Sequence, residues 1–233
     1  MQPYFFPYIG YFQLMHYVDE WIIFDDTQFI DKGWINRNRI LHPDIDKEWQ
    51  FITIPLKSRG QFDKINIISI DSSKNWESNI LGKLTAYKKK APFYKQTIDF
   101  IKYCFSNKNI SLSEFLTSTL KKTAEYIGIR TPLIVQSSLD IKIDKVDHPG
   151  QWALKIATEL KADEYINPIG GRKIFKKEEF ENENIKLRFI ETLLEPYSQR
   201  RNGFIEGLSI IDIMMWNDQK NIYKLLSKNL NII

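Results

Sequence analysis

The second half of the chain alternates short β-branched runs with helical ones, and few architectures accept that order. Residues 132–138 (PLIVQSS) read as a strand ending in serines, and residues 150–162 (GQWALKIATELKA) as a helix. Residues 163–171 (DEYINPIGG) read as a strand entering a Pro/Gly loop, 184–191 (NIKLRFIE) as another strand, and 209–217 (SIIDIMMWN) as the start of the last helical part. Strands separated by helices pair side by side in parallel, with the crossover helices covering the sheet. The sequence therefore predicts an α/β fold: a mostly parallel sheet with helices on both faces, Rossmann-like in outline.

The first half adds three strand candidates. Residues 20–26 (EWIIFDD) are a buried run closed abruptly by two carboxylates, 49–57 (WQFITIPLK) stop at Pro55, and 65–71 (INIISID) form the third. Ahead of them, residues 10–19 (GYFQLMHYVD) fit an amphipathic helix with Phe12, Met15 and Val18 on one face. From about 76 to 128 the pattern is helical, broken only near Pro92 and ending at Gly128. This block reads as a helical insertion into a single α/β domain spanning 1–233.

A hydrophobic content of 43%, with 14% aromatic residues, is ample for a packed core. The balance of 33 basic against 29 acidic residues leaves +4, too mild to indicate nucleic acid, and YKKKAPFYK (87–95) reads as the solvated end of a helix. Cys104 is the only cysteine, which excludes an internal disulfide and fits a reducing compartment. It sits in an apolar setting without a neighbouring base, so a thiolate nucleophile is not expected. There is no secretory-signal pattern, and no run of ~18 apolar residues of membrane-spanning kind. The expectation is a soluble cytoplasmic protein without a structural metal site.

In an open α/β sheet, ligands settle at the carboxyl ends of the strands. Asp25 and Asp26 close the first strand, Ser137 and Ser138 the one at 132–138, and Asn167 with Gly170 and Gly171 follows the next. Each also has a plain reading as a cap or turn former. Neighbouring strand residues face opposite ways, so only one of Asp25 and Asp26 enters a given pocket. Beside a basic group that carboxylate stays ionised and orients a cation or a metal-bound phosphate; in a drier site it acts as a general base.

The densest polar cluster is DKGWINRNRI (31–40). If extended, it sets Arg37 and Arg39 on one face and Asn36 and Asn38 on the other. Arginine forks suit phosphate or carboxylate, and with Lys32 and Trp34 the cluster matches an anionic ligand with a flat or sugar-like portion. An exposed strand or helix edge explains the same residues without a ligand. Of the histidines, His16 follows an apolar stripe, His42 lies in a loop, and His148 precedes a helix where its ring can face the strand-end pocket. Gly-x-Ser-x-Gly, Walker and Gly-x-Gly-x-x-Gly fingerprints are absent.

Several stretches together, MQPYFFPYIGYFQL, FDDTQFIDKGWINRNRI, YINPIGG and LSIIDIM, resemble the WbqC-like family of bacterial proteins across essentially the whole chain. The SS at 137–138 and EPYSQ at 195–199 also look like family positions. Members carry a short apolar stretch before the Met-Gln-Pro, so the resemblance implies a strand there. It also implies a role in surface-polysaccharide (O-antigen) assembly, by attaching an acyl or aminoacyl group to the amine of a nucleotide-linked amino sugar. Under that reading Lys32, Arg37 and Arg39 hold the diphosphate, while Gln2, Asn36 and Asn38 bind hydroxyls. Asp25 or Asp26 accepts the amine proton, and His148 is a further acid–base candidate. Tyr8, Gly10, Gln28, Trp34, Ser137, Ser138, Asn167, Gly170, Gly171 and Gln199 complete the expected substrate-binding set. The donor is expected to be an acyl thioester on coenzyme A or an acyl carrier protein.

The loop–helix–strand order at the N-terminus also resembles the nucleotidyltransferase-like fold. That superfamily holds two histidines at the helix start, where Tyr8, Gly10 and Tyr11 stand here. Two alternatives remain beside the acyltransferase: a non-catalytic ligand- or partner-binding protein of a polysaccharide pathway, and a nucleotidyltransferase-like enzyme.

Overall fold

A computed structural model describes residues 1–106, 111–141, 143 and 146–233. Residues 107–110 of the expected helical block lie outside the described residues. The chain divides into two compact units, unit 1 made of 1–138 with 194–227 and unit 2 of 139–193 with 228–233.

Unit 1 opens with a loop and helix α1 (Ile9–Tyr17), followed by β1 (Trp21–Ile23). Every residue of α1 from Ile9 to Met15 is buried, so the helix is a core element and not the amphipathic one expected. Its run is apolar all round, which leaves no face for water. Within that buried run Gln13 donates Nε2 to the Leu225 carbonyl (2.8 Å). β1 pairs in parallel with β4 (Leu133–Val135), Trp21 opposite Leu133. On the other edge of β1 the Met1 amino nitrogen donates to the Ile22 carbonyl, and the Phe24 amide donates to the Met1 carbonyl, both at 2.8 Å. Met1 thereby occupies a parallel ladder position beside Ile23.

β2 (Arg37–Leu41) and β3 (Trp49–Thr53) form an antiparallel hairpin with Arg39 opposite Phe51. The expected third strand is not one. Ile65–Ile67 makes a 3-10 turn, and residues 69 and 70 form only isolated bridges. Burial explains this: Ile65, Ile68 and Ile70 point inward while Ile67 is 66% exposed, a spacing of three then two that breaks strand alternation. The helical stretch consists of α2 (Trp76–Leu84), α3 (Tyr94–Phe105) and α4 (Leu112–Tyr126), the last capped by Ser111. α7 (Ile210–Trp216) and α8 (Gln219–Leu226) complete the unit. Phe5, Phe6, Phe105, Phe115 and Trp76 pack as one aromatic cluster. Burying each such ring is worth about 1.5–3 kcal/mol.

Unit 2 places α5 (Gly150–Glu159) before β5 (Glu164–Pro168), then α6 (Lys177–Asn182), β6 (Lys186–Thr192) and β7 (Leu230–Ile232). β5 and β6 are parallel, joined through α6, and β7 runs antiparallel to β6. Leu154, Ala157, Phe180 and Ile185 form its core with Tyr165, Phe175 and Leu187 around them.

The protein is thus mixed α/β, but a single mostly parallel sheet is not present among the described residues. Three small sheets take its place: β1–β4, β2–β3 and β5–β6–β7. The parallel pair β1–β4 extends for three residues only, because the chain turns at Asp25 and at the 3-10 turn Gln136–Ser138.

Candidate functional site

The opening stretch of unit 1 is held by Asn38, which the sequence reading gave to a ligand, and by Ser209. Asn38 is 3% exposed; its Nδ2 donates to the carbonyls of Phe5 (3.0 Å) and Phe6 (2.8 Å), and its Oδ1 accepts the Arg39 amide (2.8 Å). Ser209 Oγ also donates to the Phe6 carbonyl, at 2.7 Å. These bonds hold Phe6 at φ 43°, a left-handed value that a bulky side chain adopts only under constraint. Phe5, Phe6 and Tyr11 are core residues. The Tyr11 hydroxyl donates to the Gln2 carbonyl (2.9 Å). Tyr4 and Tyr8 are half-buried, and burial raises both phenol pKa values. The Tyr8 ring lies over Gly10 so closely that a Cβ there would meet it at 2.4 Å.

Arg37 and Arg39 share one face of the hairpin with Phe51 and Trp49, as strand alternation requires. The Arg37 guanidinium lies 4.2 Å from the Phe51 ring centre, and that of Arg39 lies 5.2 Å from both Trp34 and Trp49. Neither arginine has a carboxylate partner among the described residues. Arg37 donates to the Gly33 and Lys32 carbonyls, and Arg39 Nη2 to the Gly207 carbonyl at 3.2 Å. The Arg39 Nε is buried with no acceptor among the described residues. Trp34 is 40% exposed beside it, and the Lys32 side chain is exposed on a left-handed turn. Asn36 is committed to the Ile54 carbonyl (2.8 Å), and Gln28 to that of Gln61 (3.0 Å). Acid-free, stacked guanidiniums next to exposed indole make a cationic aromatic surface, suited to an anion carrying a flat group.

At the carboxyl ends of β1 and β4 the structure brings Asp25 and Ser137 together. Asp25, 2% exposed, accepts the Ser137 amide (3.0 Å), the Ser137 hydroxyl (2.7 Å) and the Ser113 hydroxyl of α4 (2.8 Å). Three donors occupy its oxygens, so Asp25 fastens three elements. Asp26 points elsewhere and pairs with Lys64 (2.9 Å) and Asn66 (3.0 Å) on a half-exposed surface. The Ser138 hydroxyl caps the Val135 carbonyl.

A polar centre absent from the sequence reading lies around Asp212, which has no exposed surface. Its carboxylate accepts the hydroxyls of Tyr87 (2.6 Å) and Tyr197 (2.5 Å) and the Gln199 amide (3.1 Å). Tyr87 in turn accepts the Leu41 amide of β2 (2.8 Å). Burial raises the Asp212 pKa, and the three donors oppose that shift without cancelling it. Gln199 also exchanges two bonds with the backbone of Ile205. The signal available in sequence is one aspartate inside an apolar helical run, SIIDIMMW.

In unit 2, His148 Nε2 faces the Glu179 carboxylate at 2.9 and 3.0 Å, and Gln151 Nε2 donates to the same group (3.3 Å). Asn167 accepts the Tyr165 hydroxyl and donates to the Pro168 carbonyl. Gly171 backs directly onto Asn167, whereas Gly170 borders open space. At Gly150 a Cβ would sit 2.2 Å from the Ile174 carbonyl oxygen. Gly150→Ala is therefore expected to lower stability by about 1–3 kcal/mol, read as a reduced urea midpoint at unchanged slope.

Among the described residues no group of three or more His, Cys, Asp or Glu is placed to hold a metal ion. No helix there is long and apolar enough to cross a membrane. A Mycobacterium tuberculosis (strain ATCC 25618 / H37Rv) protein, named uncharacterized protein Rv1507c, is 27% identical over 217 residues. The match covers 92% of this chain and 90% of that protein. No solved structure matches. The opening loop, the Arg37–Arg39 strand, the Asn167–Gly171 turn and the Asp212 helix all fall inside residues 2–224, which match the WbqC-like family model, and the chain belongs to the WbqC-like protein family.

Proposed function

We propose that the protein is a transferase acting on a nucleotide-linked amino sugar, moving an acyl or aminoacyl group from a thioester donor onto the sugar amine. The observation that carries this reading is the acid-free pair Arg37 and Arg39 on the aromatic face of the hairpin. Alternate residues on a strand stand about 7 Å apart, a span that suits two phosphates, with Trp34 beside them for a ring. In this reading Asp26, half-exposed at the end of β1 and paired with Lys64, takes the amine proton once Lys64 swings away. Asp25 positions that strand end.

Titration calorimetry with UDP-glucosamine tests the reading. Arg39→Ala is expected to weaken binding about 10–100-fold, the worth of one charged hydrogen bond set, with the thermal midpoint little changed. Unchanged affinity removes Arg39 from the site. A ligand-binding protein without turnover is the second reading, favoured by the saturation of Asp25 by Ser113 and Ser137. UDP-glucosamine binding with no product from acyl thioesters decides for it.

A further inference from the structure

We propose that unit 2 carries its own acid–base site for a primary amine, built on His148 and Glu179. It goes beyond the transferase reading and holds whether or not the hairpin arginines take a diphosphate. A carboxylate only accepts, so the two Glu179 oxygens at 2.9 and 3.0 Å place the ring hydrogen on Nε2. The lone pair of the neutral ring is then on Nδ1, which meets no partner among the described residues. Carboxylate, oriented imidazole and an open second nitrogen form the arrangement of a general base.

The surroundings hold that arrangement in place. Gln151 accepts the Asp147 amide through Oε1 (2.8 Å) and donates to Glu179 through Nε2, which braces the loop carrying His148. Lys176 lies 3.6 Å from Glu179, and His148, Gln151 and Lys176 together hold the Glu179 carboxyl below its ordinary pKa. On its Cε1 side the ring borders the Gly150 and Ile174 backbone: a Cβ on Gly150 would lie 3.2 Å from the His148 Cε1 and 2.2 Å from the Ile174 carbonyl oxygen. From Gln151 and Glu179 a groove of about 440 Å3 runs between α5 and α6, past Leu154 to Glu159 and Glu183. Among the described residues Lys155 is the one basic residue lining it. That wall disfavours phosphates and carboxylates and favours an ammonium, whose proton a base must remove before the nitrogen can attack. In the step, an N–H bond of the ammonium breaks and Nδ1–H forms. The electron pair stays on the amine, and the imidazolium is held against Glu179.

The test is 15N NMR of the full chain with its three histidines, His148 being assigned through His148→Gln. The neutral His148 ring is expected as the Nε2–H tautomer, and Glu179→Gln should abolish that preference while leaving the fold intact by thermal melting. Millimolar D-glucosamine should shift the His148 ring and Gln151 side-chain signals, N-acetyl-D-glucosamine should not, and Glu179→Gln should weaken the response at least ten-fold. Persistence of the response in Arg39→Ala separates this site from the hairpin. An Nδ1–H tautomer in the native protein, an equal response to both sugars, or no shift with glucosamine overturns the proposal.

Discussion

Asp212→Ala is expected to cost about 3–5 kcal/mol, a large share of the roughly 5–15 kcal/mol that holds an ordinary domain folded. The substitution strands three buried donors, Tyr87, Tyr197 and Gln199, each of which costs about 1–3 kcal/mol when it loses its acceptor. It also disconnects the segment carrying Gln199 and Ile205 from helix α7. Asp212→Asn keeps an acceptor oxygen and the shape, so its cost is smaller, about 1–3 kcal/mol. The pH dependence separates charge from shape. The folded pKa of Asp212 is raised above its ordinary 3.8, so the folded state binds the proton more tightly than the unfolded chain. The contribution of this group to stability is therefore greatest below 3.8 and declines as pH rises toward the folded pKa. Native protein gains this term on acidification and Asp212→Asn does not, so the gap between their urea midpoints should widen as pH falls through that window. A gap independent of pH would mean that Asp212 is not the titrating group.

What the sequence made legible follows from which signals are local. Most of the strand and helix order in residues 132–192 was readable because apolar periodicity and Gly/Pro breaks sit within each element, but the short α6 (Lys177–Asn182) was missed, its run KEEFEN holding a single apolar residue, Phe180. The strand ends at Asp25 and Ser137 could be named because each closes its own apolar run with a polar residue, and the parallel pairing of β1 with β4 makes them neighbours. β2 was hidden: RNRIL has the period of a strand, but one of its inward residues is Asn38, whose burial depends on two carbonyls more than 30 positions away. The same limit explains Asp212, whose partner Tyr87 comes from a segment 125 positions away and is itself tied to the Leu41 amide. Three small sheets replaced the one expected because hydrophobic pattern specifies strands but not which of them pair. Gln199 and Asn36 drew notice for polar chemistry, and in the fold that chemistry is spent on internal partners, the Ile205 backbone and Asp212 for Gln199 and the Ile54 carbonyl for Asn36.

Asn38 provides the sharpest contrast between the two kinds of role that a polar residue in RNRI can have. As a clamp, its loss leaves the Phe5 carbonyl and the Arg39 amide without partners and the Phe6 carbonyl with Ser209 alone. Asn38→Ala is then expected to cost about 2–4 kcal/mol, and Ser209→Ala about 1 kcal/mol, since Phe6 retains Asn38 in that variant. Asn38→Asp is the informative replacement, because it preserves volume while turning a donor into an acceptor. A carboxylate oxygen facing two carbonyls repels both, so this variant should be no more stable than Asn38→Ala despite its shape. Releasing Phe6 from φ 43° also frees the opening loop, and protease cleavage near Tyr4–Tyr8 should accelerate in both Asn38 variants. If Asn38 instead contacts a sugar hydroxyl, Asn38→Ala leaves the urea midpoint and cleavage rate unchanged and lowers UDP-glucosamine affinity alone. The buried, fully bonded amide in this structure requires the first outcome.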